Sequence, residues 1–61
     1  MFKLEIETTN EAFDPYPEQE LAEILRNTVK VLMMGAEHGY LFDTNGNKVG
    51  HFEFTMEDFL S

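Results

Sequence analysis

The stretch that decides the fold is GYLFDTNGNKVGHFEF, residues 39–54. Its middle, Asn45-Gly46, separates two runs rich in aromatic and β-branched residues. Asn-Gly between such runs is the strongest short-range signal for a β-hairpin, because a type I′ turn needs positive φ at both central positions. The stretch therefore predicts two antiparallel strands joined by a tight turn.

Two registers of this hairpin are compatible with the sequence. With a two-residue turn at Asn45-Gly46, Leu41, Phe52 and Phe54 line the helix side of the sheet, and the opposite face carries four uncovered side chains: Tyr40, Phe42, Val49 and His51. With a three-residue loop and a G1 bulge, the pairing shifts by one residue and sends Tyr40 and Phe42 inward. We favour the two-residue turn, which predicts an exposed aromatic patch of the kind that marks an interface.

One strand and one helix precede the hairpin. Apolar and charged residues alternate at the start of the chain, which predicts a half-buried strand over residues 2–8. Pro17 suits the first position of a helix, and the apolar spacing after it predicts an amphipathic helix over residues 17–34, with Gly35 as its stop.

The order of these elements predicts a fold class. We expect Val29 and Met33 to widen the apolar stripe of the helix, and Phe13 to pack back onto the core. The order β-α-β-β predicts a single small α+β domain over residues 1–61, with one helix packed on a three-stranded, mainly antiparallel sheet. We expect the hairpin over residues 39–54 to place its second strand in the centre, and residues 55–61 to form a short tail.

Composition limits the classes of function. The 61 residues include twelve acids, four bases and no Cys, with a formal net charge of −8. The absence of Cys excludes disulfides and thiolate metal sites. The negative charge opposes direct binding to nucleic acid or to an anionic membrane surface. The longest apolar run, residues 31–34, is far shorter than the ~20 residues that span a bilayer, so we expect a cytoplasmic protein.

Patterns typical of catalysis or metal binding are weak. The only Ser is Ser61, so an activated nucleophile is effectively absent, and a domain of this size has little volume for a catalytic pocket. Residues 43–47, DTNGN, imitate the start of a calcium loop, but Lys48 and Phe54 stand where that pattern requires Gly and Glu. The two histidines, His38 and His51, show no ligand spacing. We expect no enzyme activity, no cofactor and no metal.

The arrangement of the acidic residues is the remaining signal. Glu5 and Glu7 share one strand face about 6.8 Å apart. Three more acids lie on the outer and leading side of the helix: Glu18, Glu20 and Glu23. Glu11 and Asp14 lie in the loop between the strand and the helix. The spacing of these acids approximates successive phosphates of a nucleic-acid strand, and the five glutamates of the strand and the helix are the candidates for binding a basic groove. The alternative interpretation is an ordinary solvated surface that keeps a small protein soluble.

Three motifs carry a resemblance that extends nearly to Phe54. They are FKLEIE with Asn10 and Ala12-Phe13, then ELAEILR at residues 20–26, and then G-x-L-x-D-x-N-G-N-x-V-G-x-F from Gly39 to Phe52. With these motifs the chain resembles small acidic proteins encoded in bacteriophage and prophage genomes, a group for which no activity is established. The resemblance implies a location in the host cytoplasm. Tiny acidic phage proteins often block host nucleic-acid enzymes or defence complexes, sometimes by imitating DNA.

Two interpretations of function follow. The first is a non-catalytic binding protein, an inhibitor or modulator whose acidic face docks on a basic, nucleic-acid-facing surface of a host enzyme or defence complex. The alternative is a homo-oligomeric structural or accessory protein that self-associates, as a homodimer for instance, through the aromatic sheet face. The first depends on the five glutamates, and the second depends on Tyr40, Phe42, Val49 and His51.

Overall fold

The computed structural model describes residues 1–56. Its elements are strand β1 (Phe2–Ile6), a 3-10 turn (Glu11–Phe13), helix α1 (Pro17–Met33), strand β2 (His38–Phe42) and strand β3 (Lys48–Phe54). The strands form one antiparallel sheet in the order β1-β3-β2, with α1 on one face. The prediction of an α+β fold with a central last strand is confirmed. Residues 57–61 of the predicted tail lie outside the described residues.

Helix α1 has a sharp start and a sharp end. Pro17 stands at its first position, where the missing N–H costs nothing. At the other end Gly35 has a φ of 97°, which is unfavourable for residues with a Cβ. The Gly35 N–H donates to the Leu32 carbonyl at 2.9 Å, and the Ala36 N–H donates to the Val31 carbonyl at 3.1 Å. This pair of bonds is a Schellman motif, so Gly35 ends the helix as predicted.

The core between α1 and the sheet is small. Its buried apolar side chains are Phe13, Ile24, Leu41, Val49 and Phe52. Phe13 reaches it from the 3-10 turn, as predicted. The apolar stripe of the helix is narrower than predicted, since Val29 is 57% and Met33 84% exposed. Three strands about 4.8 Å apart form a sheet too narrow to cover a wider stripe.

The hairpin loop differs from the favoured turn. The Asp43 N–H donates to the Asn47 carbonyl at 3.0 Å, and the Gly46 N–H donates to the Asp43 carbonyl at 3.0 Å. Gly46 has a φ of 84°. These bonds enclose a three-residue loop, Thr44 to Gly46, with glycine in the left-handed region, which is the G1 arrangement. The prediction of a two-residue turn at Asn45-Gly46 is therefore wrong.

A second irregularity restores the register that the two-residue turn predicted. Phe42 pairs with Lys48 but Leu41 pairs with Gly50, so Val49 is an extra residue on β3. This bulge shifts the pairing back by one residue, and Tyr40 faces His51. Tyr40, Phe42 and His51 consequently lie exposed on the open face, whereas Val49 turns into the core and is only 7% exposed. The predicted place of Val49 on the open face is wrong.

Candidate functional site

Glu20, one of the five predicted surface glutamates, lies inside the molecule. Its side chain is 8% exposed. One carboxylate oxygen, Oε2, accepts a hydrogen bond from the Thr44 N–H at 2.8 Å, and Oε1 accepts one from the Thr44 hydroxyl at 3.3 Å. Glu20 shares a helix face with the buried Ile24 and Thr28 at spacings of four and eight, a signal that is visible in the sequence. The predicted exposure of Glu20 is therefore wrong, and its carboxylate fastens the hairpin loop to the helix.

Asp43 forms a second connection, which joins the hairpin loop to Asn10 in the segment before the helix. Its Oδ1 accepts hydrogen bonds from the N–H groups of Asn45 at 2.9 Å and Asn47 at 2.8 Å. Its Oδ2 accepts a bond from the side-chain amide of Asn10 at 2.6 Å, and Asn10 also accepts one from the Ala12 N–H at 3.0 Å. The DTNGN motif is thus a hairpin loop whose single carboxylate, that of Asp43, accepts hydrogen bonds from internal donors. The partnership with Asn10 was not predicted, because no local pattern links positions 33 residues apart.

These contacts change the acidity of Asp43. Burial raises the pKa of this carboxyl, but the hydrogen bonds from Asn10, Asn47 and Asn45 outweigh burial and bring the pKa below its ordinary value of 3.8. The donors stabilise the ionised form, since a carboxylate can accept every bond that they offer. Asp43 is therefore a structural anion.

Two other predicted acids have close partners on the surface. The Glu23 carboxylate lies 3.2 Å from the Arg26 guanidinium, and the Glu5 carboxylate lies 3.6 Å from His51 Nε2. Exposed pairs of this kind contribute about 0–1 kcal/mol to stability. The Arg26 guanidinium also weakens the local negative field, so Glu23 is a poorer phosphate mimic than the sequence suggested.

The remaining exposed acids are concentrated where the helix begins. Residues 7–25 contain six acids and no base. Four of them are exposed and make no ion pair within residues 1–56, and we call them the acidic end: Glu7, Glu11, Asp14 and Glu18. The contacts of Asn10 with Asp43 and of Glu20 with Thr44 place the hairpin loop at this same end of the molecule. Of the five predicted acids, Glu7 and Glu18 belong to the acidic end, with two loop residues.

A shallow groove opens beside the acidic end. It has a volume of about 370 Å³, and its walls include Asp14, Tyr16, Gln19, Glu23 and Thr44. Tyr16 is 60% exposed. Carboxylates next to an aromatic face suit a guanidinium or ammonium group, which can form charge-assisted hydrogen bonds and stack on the ring.

The open face of the sheet is the second surface that the sequence singled out. Tyr40 is 66% and Phe42 52% exposed. The Lys48 ammonium lies 4.5 Å from the centre of the Tyr40 ring, so the face is a mixture of aromatic and charged groups. With Val49 in the core, the predicted patch is reduced to Tyr40, Phe42 and His51.

Within residues 1–56, no three His, Asp or Glu side chains are grouped to hold a metal ion. The one long helix in that range lacks the length and apolar character that crossing a membrane requires.

No family model, curated protein or solved structure matches the sequence.

Proposed function

We propose that the chain is a non-catalytic binding protein that docks on a basic, nucleic-acid-facing surface of another protein, such as a host nucleic-acid enzyme or a defence complex. The observation that carries this proposal is the acidic end. Its four carboxylates are exposed, come from one short segment and have no basic residue among residues 7–25 to neutralise them. Docking there inhibits or modulates the partner by occupying the surface that nucleic acid would use.

The chemistry of the acidic end supports a protein partner over nucleic acid. Concentrated negative charge attracts a basic groove and repels phosphate, so the chain competes with nucleic acid and does not bind it. The neighbouring groove offers such an interface a binding position for an anchor residue, because one Arg or Lys of the partner can enter between Asp14 and Tyr16. An arginine there pairs with carboxylates and stacks on the ring.

The test compares two matched triple variants. Glu7→Gln/Glu11→Gln/Glu18→Gln removes charge from the acidic end, whereas Glu5→Gln/Glu37→Gln/Glu53→Gln removes the same charge from exposed positions elsewhere. Each changes the formal net charge from −8 to −5 by the loss of three carboxylates. We expect the wild type and the second variant to retain a basic nucleic-acid-binding protein from a bacterial lysate, and duplex DNA to displace it.

The first variant should bind that same purified protein at least about tenfold more weakly, which corresponds to about 1.4 kcal/mol. Glu20 stays unchanged in both variants, so the connection between loop and helix is intact. Equal losses in the two variants would show that only net charge matters. Retention that duplex DNA does not compete with would contradict docking on a nucleic-acid-facing surface.

A further inference from the structure

Strand β2 is an edge strand without the usual protection. It has the sequence HGYLF and lies at one edge of the sheet. Natural edge strands carry charged residues or proline that discourage pairing with another chain. The other edge strand, β1, carries Lys3 and Glu5. Strand β2 carries no Lys, Arg, Asp, Glu or Pro, although the chain as a whole has a net charge of −8.

The hydrogen-bond pattern shows which groups β2 turns to its free edge. The Phe54 N–H donates to the carbonyl of Glu37, just before β2, at 2.7 Å. Bonding to the neighbour alternates along an antiparallel strand, so Gly39 and Leu41 bond to β3. The N–H and carbonyl groups of the other residues point away from the sheet: His38, Tyr40 and Phe42.

We propose that β2 pairs with β2 of a second copy of this chain, antiparallel about a two-fold axis at Tyr40. Tyr40 then faces Tyr40 of the second copy, and His38 faces Phe42 on each side of the axis. All three outward-pointing residues form backbone hydrogen bonds in this register. The result is one continuous six-stranded sheet with an isologous interface.

The distribution of charge favours a second copy as the occupant. The strand that meets its copy is uncharged, and Phe42 precedes the hairpin loop that lies at the acidic end. Antiparallel pairing therefore sends the two acidic ends to opposite ends of the shared edge. Strands of five residues separate them by about 17 Å, well beyond the screening length of ~8 Å at physiological salt.

The side chains beside the edge also fit this register. On the helix side, Leu41 of one copy lies opposite Gly39 of the other, where the Phe52 ring occupies the space of a Cβ. A cleft of about 140 Å³ lies between α1 and β2, with Val31 and Leu41 in its wall. Val31 is 39% exposed in the wall of this cleft, so it is accessible to a second copy at this edge. Two paired strands of five residues form an interface at the small end of the range for protein complexes, so we expect a weak dimer that forms only at high protein concentration.

The test measures mass and amide exchange on the wild-type chain. Sedimentation equilibrium should show a mass that rises with concentration from 7.1 kDa toward twice that value. Over the same range, the amides of His38, Tyr40 and Phe42 should become at least about tenfold slower to exchange. Those of Leu4 and Ile6, which point to the free edge of β1, should stay fast. A monomer at 1 mM, or a dimer with an unprotected Tyr40 amide, would overturn the proposal.

A backbone variant tests whether the dimer depends on the backbone hydrogen bonds of β2 and not only on the side chains around it. Chemical synthesis of the chain with an N-methyl group on Tyr40 removes the central donor and keeps every side chain, while the matched control carries the N-methyl group on Leu4. We expect the Tyr40 form to stay monomeric and the Leu4 form to dimerise like the wild type, with the same circular dichroism. If N-methylation at Leu4 abolishes the dimer and that at Tyr40 does not, the pairing uses β1 and the proposal fails. Neither modification touches the acidic end, so the outcome is independent of the proposed function.

Discussion

The Asp43 carboxylate connects the hairpin loop to a segment that is distant in the sequence. It bonds to Asn10, 33 positions away, and to two N–H groups of its own loop. Because these donors hold the pKa of Asp43 below 3.8, the ionised carboxylate contributes stability above that pH. The contribution is lost as the pH falls through the lower pKa of the folded state.

We therefore predict that Asp43→Asn lowers the melting temperature most at neutral pH. The Asn side-chain oxygen can still accept the two backbone bonds, but its NH₂ group then faces the side-chain amides that donate to Oδ2, so the bond from Asn10 is lost. The difference from the wild type should shrink as the pH falls from about 5 to about 2, because protonation weakens the same bonds in the wild type. Thermal unfolding across this range checks the expectation. A difference that grows toward acid pH would contradict the structural role of the ionised carboxylate.

Glu20 shows why the exposure of a single charged residue is hard to predict. Charge alone assigns a glutamate to the surface, and most glutamates are exposed. The helix periodicity places Glu20 with Ile24 and Thr28, but only the folded hairpin reveals Thr44 as the partner that makes burial acceptable. Glu18, two residues earlier, has no such partner within residues 1–56 and is exposed.

At the scale of elements, the order, the helix and the sheet topology could be predicted because each has a local signal. Pro17 and Gly35 mark the helix ends, and the apolar alternation marks β1. The type of hairpin loop could not be predicted, since Asn45-Gly46 fits both a two-residue turn and a G1 loop. The G1 loop and the bulge at Val49 shift the strand pairing in opposite directions. The alternation of apolar and polar residues does not show at which position of β3 an extra, unpaired residue occurs.

The bulge leads to a prediction that distinguishes the observed position of Val49 in the core from the predicted position on the open face. We expect Val49→Ala to lower the free energy of unfolding by about 2 kcal/mol, because it removes two buried methyl groups from a small core. In a domain of this size that corresponds to a decrease of about 10 °C in melting temperature. Val29→Ala is the matched control, since Val29 is 57% exposed, and its effect should be within about 0.5 kcal/mol. Equal, small effects would mean that Val49 lies on the open face.

At the scale of the whole molecule, exposed negative charge is concentrated at the acidic end, whereas the edge strand β2 carries no Asp, Glu, Lys or Arg. The acidic end combines Glu7 and Glu18, which the sequence singled out, with Glu11 and Asp14, which lie in the loop between them. Net charge was readable from composition, but its distribution depends on which acids the fold buries or pairs. Strand β2 contributes no charge and lies at the sheet edge, so it offers the surface where two copies repel each other least.

This separation predicts opposite responses to salt at the two surfaces. Two chains of net charge −8 repel each other, so screening strengthens pairing through β2. Docking of the acidic end on a basic partner depends on attraction, so the same screening weakens it. As salt rises from 0.1 M to 1 M, the screening length falls from about 10 Å to about 3 Å, which affects both equilibria strongly.

We expect the dimer dissociation constant, measured by sedimentation equilibrium, to fall several-fold over this range. The dissociation constant for the basic partner, measured by titration calorimetry, should rise by at least about tenfold. Repeating both titrations with Glu7→Gln/Glu11→Gln/Glu18→Gln supplies the control, because loss of these charges should flatten the salt dependence of partner binding more than that of dimerisation. If salt weakened both equilibria, attraction between charges would govern the dimer too, and pairing through an uncharged edge would be the wrong description of it.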